Sequence, residues 1–122
     1  MLVITSCKSG NKDFLHNFID TEVQQDNCIL FFISETDCNT CVGYIDEYVK
    51  RKASARYIGF YYQKNKKMPF ILEKEIKRIN SVSWRQLKNA DILLYIANKY
   101  KVETPMLIEI ENRKLKHVTM LK

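Results

Sequence analysis

At 122 residues, 46% of them apolar, the chain is long enough for one domain with its own core and does not need disulfide staples. Three Gly, two Pro and the absence of repeats or low-complexity runs exclude a fibrous or largely disordered chain, and no window approaches the ~18 apolar residues of a membrane span. The formal charge of +6 sits in short clusters (Lys50 to Lys52, Lys64 to Lys67, Lys74 to Arg78, Arg113 to Lys116) broken by acidic and apolar residues, a pattern of solvated faces that argues against nucleic acid and suits an anionic membrane or an acidic protein partner.

The N-terminal Leu2-Val3-Ile4-Thr5-Ser6-Cys7 resembles the end of a bacterial lipoprotein signal, in which an aliphatic residue and two small ones precede the lipidated cysteine. That resemblance implies lipid on Cys7 and a polar tether through Asp13, so residues 1–12 are expected to be a signal remnant or flexible tether and 13–122 the folded domain. The basic start and most of the apolar stretch of a signal are missing. An ordinary frayed terminus with a stray cysteine is the competing reading.

Phe14, Leu15, Phe18, Ile19 and Val23 form a helical stripe, which predicts an amphipathic helix over Asp13 to Val23 with His16 on its less apolar side. The polar run Gln24 to Asn27 ends it. Cys28 to Ser34 is continuously apolar and of strand length, as expected for a central strand covered on both faces, with Cys28 a buried free thiol at its start.

Next comes Asp37-Cys38-Asn39-Thr40-Cys41, followed by Ile45, Tyr48 and Val49 of a helix ending in Lys50-Arg51-Lys52. A strand therefore runs into a thiol pair that opens a helix. At this spacing the first thiol lies by the free N–H groups of the first turn, which favour its thiolate, and the second can attack a disulfide formed on the first. Asp37, Asp46 and Glu47 oppose that effect, so the expected Cys38 pKa is ~7 rather than the ~3.5 of the strongest oxidants. A C-x-x-C also fits half a zinc site or an inert pair. Zinc needs two more ligands, and Cys7, Cys28, His16 and His117 are scattered singly.

Arg56 to Tyr62 predicts a second strand, Pro69 to Ile79 an amphipathic helix, and Val82 to Leu87 a short third strand in which Trp84 is core or lies on a partly covered strand face. Asn89 or Asp91 can cap a helix running to Tyr100. Met106 to Glu111 and Leu115 to Met120 then form a hairpin across Asn112-Arg113-Lys114. Alternating strands and helices imply an α/β domain with a mainly parallel sheet and an antiparallel hairpin.

From Cys28 onward the chain resembles thioredoxin-fold proteins, and more narrowly the membrane-tethered TlpA/ResA-type thiol–disulfide oxidoreductases. The likeness rests on strand-C-x-x-C-helix, on the inserted helix and strand from Pro69 to Leu87, and on Tyr100-Lys101-Val102-Glu103-Thr104-Pro105 before the hairpin. It implies a thioredoxin-like three-layer fold, Cys38 as attacking thiol, Cys41 as resolving thiol, and Pro105 as a cis-proline beside the pair. The Thr104 backbone would pair with an extended substrate segment. No cofactor or metal is implied. The expected partners are protein thiols and disulfides, and the expected location is the periplasm or cell envelope on a lipid anchor, or the cytoplasm if Met1 is the true start.

Three departures from the family pattern stand out: Asp37 replaces the tryptophan before the first cysteine, Phe32 replaces thioredoxin's buried aspartate, and no closing helix follows the last strand. The third leaves a sheet face under-covered, where a second copy or another protein is expected. The expected function is disulfide exchange in exported proteins, and the alternative is a non-catalytic thioredoxin-like binding module.

Overall fold

The computed structural model describes residues 14–34, 39–63, 74 and 76–121, with the backbone alone at 39–41. The elements in chain order are α1 (Phe14–Glu22), β1 (Cys28–Ser34), α2 (Asn39–Arg51), β2 (Tyr57–Tyr62), β3 (Val82–Gln86), α3 (Asp91–Tyr100), β4 (Met106–Glu111) and β5 (Lys114–Met120). Residues 74, 76 and 77 are helical, with Ile76 and Ile79 buried; the start of the helix expected from Pro69 lies outside the described residues. Residues 1–13, including Cys7, also lie outside them.

The strands form one sheet in the order β3-β2-β1-β4-β5. β1, β2 and β3 run parallel, and β4 returns antiparallel beside β1 before the hairpin carries β5 to the edge. This is the mixed α/β arrangement expected, with parallel central strands and an antiparallel C-terminal hairpin. β1 sits at the centre because both its faces are apolar: Leu30, Phe31, Phe32 and Ile33 are all 0% exposed. Burying each stabilises the fold by about 1.5–3 kcal/mol before entropy is counted.

Side chains alternate across β1 and so divide the core in two. On one face Leu30 and Phe32 meet Leu15 and Ile19 of α1 and Ile92 and Ile96 of α3. Phe32 stacks on Phe60 at 5.2 Å, with the Phe18 edge against Phe60 at 4.9 Å. On the other face Ile29, Phe31 and Ile33 meet Val42, Ile45 and Val49 of α2 together with Ile76 and Ile79. The i,i+4 pairs Asp46–Lys50 and Glu47–Arg51 hold the outer side of α2, each contributing no more than a few tenths of a kcal/mol.

The hairpin turn needs positive φ at two successive residues, 53° at Asn112 and 64° at Arg113. Asn tolerates that region and Arg does so at a cost. The polar turn after α1 holds it in place: the Asn112 N–H donates to Asn27 Oδ1 at 3.0 Å and the Arg113 N–H to the Asp26 carbonyl at 2.8 Å.

On the α2 side, the β4–β5 end of the sheet carries charge. Glu109 lies 3.5 Å from His117, and Lys116 lies 3.8 Å from Glu109 and 3.6 Å from Glu111. This part of the α2 face is therefore a polar, ion-paired surface. Among the described residues no helix is long and apolar enough to cross a membrane.

Candidate functional site

Of the thiol pair, Cys38 lies outside the described residues and Cys41 is the third residue of α2. Cys41 thus belongs to the first turn, where backbone N–H groups have no partner within the helix. No acidic residue occupies that turn, so the positive end of the helix dipole is not offset from within it. β1 supplies the other fixed point. Its last residue, Ser34, is four positions before Cys38 in the sequence.

Thr104 and Pro105 enter from the opposite side. Met106 pairs with Phe32 in the antiparallel register, so the segment just before β4 meets the end of β1. The Thr104–Pro105 peptide is cis, Pro105 is buried, and its carbonyl accepts the Leu121 N–H at 2.9 Å. The chain end beyond β5 therefore braces the loop. Whether Pro105 lies within reach of Cys38 falls outside the described residues.

Ser34 and Thr104 are brought together on one groove of about 470 Å³. Tyr62 and Met106 continue its floor, and α3 forms a wall with Ala90, Leu93, Leu94 and Ala97. Those four positions are spaced i, i+3, i+4 and i+7, one face of a helix. Asn89 or Asp91 was expected to cap α3, but Ala90 takes the cap position and no side chain caps the helix. Asn89 Oδ1 instead accepts the Asp91 N–H at 3.0 Å, turning the chain into the helix one residue earlier. Glu103 completes the rim. Sequence reasoning named Thr104 but missed Leu94 and Glu103, because a helix face and a loop far along the chain from the thiol pair acquire a common role only when the sheet brings them together.

Cys28 stands at the far end of the same strand, about 20 Å from Ser34 at the usual strand rise. It is a free thiol, 4% exposed. Burial pushes its pKa up to about 11, with Arg56 partly opposing the shift. As a protonated, covered thiol it is a poor nucleophile at neutral pH. Among the described residues no three of His, Cys, Asp and Glu are grouped so as to hold a metal ion.

No family of known proteins matches the sequence. The curated proteins likewise contain no match. Among solved structures, the chain is similar to a thioredoxin from Wuchereria bancrofti, with a TM-score of 0.47 and 17% identity over 82% of this chain and 72% of that one.

Proposed function

We propose that the chain is a thiol–disulfide oxidoreductase. The observation that carries this reading is that the end of β1, which leads in the sequence to Cys38 and Cys41, lines one groove with Thr104 of the cis Thr104–Pro105 segment. In the reducing direction the Cys38 thiolate attacks a substrate disulfide, forming a Cys38–substrate disulfide and releasing one substrate thiolate. The Cys41 thiolate then attacks the Cys38 sulfur, releases the second substrate thiol and leaves the Cys38–Cys41 disulfide, so two electrons pass to the substrate. Oxidation is the same sequence reversed. The Thr104 backbone edge aligns the substrate as an added strand.

In this reading the substrates are exported proteins, and lipid on Cys7 holds the domain at the outer surface of a membrane, with more than one acyl chain needed for stable attachment. Fatty-acid labelling of the full-length protein that disappears in Cys7→Ser checks the anchor.

The second reading is a non-catalytic binding module on the same edge. It is favoured by Phe32, which is 0% exposed in a stack of aromatics where thioredoxin has a proton-transferring carboxylate. Trapping separates the two. Cys41→Ser should accumulate a Cys38 mixed disulfide with a disulfide-bonded protein substrate, and Cys38→Ser should accumulate none. Absence of trapping, with binding of the same substrate retained, favours the module.

A further inference from the structure

Among the described residues, the groove beside Thr104 joins an apolar wall to a single charge. Leu93, Leu94 and Ala97 of α3 form the wall, and Leu94 is 60% exposed, the most exposed large apolar side chain among the described residues. Among the described residues that line the groove, Glu103 is the one that carries a charge. Its carboxylate makes no hydrogen bond or ion pair among the described residues, whereas Glu109 and Glu111 are engaged by Lys116. Against a formal charge of +6 on the chain, a carboxylate on this rim is a local departure from the general field. The volume of about 470 Å³ falls within the range of ligand pockets.

We propose that this groove selects extended protein segments in which a lysine or arginine stands against Glu103 and an apolar side chain lies on Leu93, Leu94 and Ala97. The inference rests on the reading of the Thr104 edge as the substrate-binding edge, and it specifies the substrate class for that edge. A segment lying along Thr104 presents alternate side chains to the same side. One reaches the α3 wall and another the Glu103 rim. The apolar contact supplies affinity for any such segment, and the carboxylate discriminates by charge, since a cation opposite it is attracted and an acidic residue repelled.

The test uses the full chain and three fluorescent peptides of one sequence, with an apolar residue near a serine in place of the reactive cysteine. The serine is flanked by lysine, alanine or glutamate, and affinity is read by anisotropy at low and physiological salt. The lysine peptide is expected to bind about three- to tenfold more tightly than the glutamate peptide at low salt, and less selectively as salt rises. Glu103→Gln should remove the preference, Glu103→Lys should invert it, and Leu94→Ala should weaken all three peptides alike. Equal affinities, no measurable binding, or a preference that survives in Glu103→Lys overturns the proposal. Exchange of the wild-type chain with the uncharged bis(2-hydroxyethyl) disulfide is measured alongside. Exchange without charge selectivity sinks the groove and leaves the oxidoreductase standing, whereas charge-selective binding without exchange does the reverse.

Discussion

The indole of Trp84 in β3 lies directly on Gly59, its partner in β2, so closely that a Cβ on Gly59 would fall 2.2 Å from Trp84 Cε3. The glycine is required by that approach and not by any unusual backbone angle. Among the described residues, buried Trp84 Nε1 has no hydrogen-bond partner, and the ring packs against the core of the α2 side. Gly59→Ala must displace the indole or the strand and should cost about 1–3 kcal/mol. Gly43 in α2 is the control: it is exposed and a Cβ there meets nothing within 4 Å. Gly43→Ala should stabilise by about 0.5–1 kcal/mol through helix propensity. Urea midpoints shifting in opposite directions at constant slope check both; a fall for both variants would refute the packing account.

Cys28 predicts how stability depends on pH. Its thiol is held protonated up to about 11 in the folded chain, against an ordinary value of 9.0. Between those values the unfolded chain releases the proton and the folded chain keeps it, so stability is full below about pH 9 and falls as pH rises toward 11. Tyr57, also raised by burial and hydrogen-bonded through its hydroxyl to the Lys52 carbonyl, adds a loss in the same direction above its ordinary 10.0. Cys28→Ala should therefore show a shallower decline over this range than the wild type, the remainder belonging to Tyr57. In the native chain at pH 7, Cys28 should resist iodoacetamide until urea unfolds it.

Much of the architecture was legible because local pattern and global position agree. The apolar run Cys28–Ser34 is β1 with both expected boundaries, and Met106–Glu111 is β4 likewise. Arg56 was expected inside β2, but its side chain is exposed and it serves the sheet through its carbonyl, which accepts the Ile29 N–H at 2.9 Å. The charge on the β4–β5 face was present in the alternation Ile108-Glu109-Ile110-Glu111. Whether such a face is apolar or ion-paired depends on β5, whose register shifts between Glu109 and Ile110 and sets Lys116 near both carboxylates. The groove was illegible for a different reason. Leu94 looks like one more apolar residue of a helix and Glu103 like loop polarity until β4 docks against β1.

In the proposed function Cys38 and Cys41 form a reversible redox couple. The most direct measurement equilibrates the full chain in thiol–disulfide buffers, quenches with acid, alkylates under denaturing conditions and maps the modified cysteines by mass. The account predicts one two-electron transition within the span of thioredoxin-fold couples, about −270 to −120 mV, with Cys38 and Cys41 protected together when oxidised and Cys28 alkylated at every poise. Protection of Cys28, or no protected pair at any poise, would contradict it.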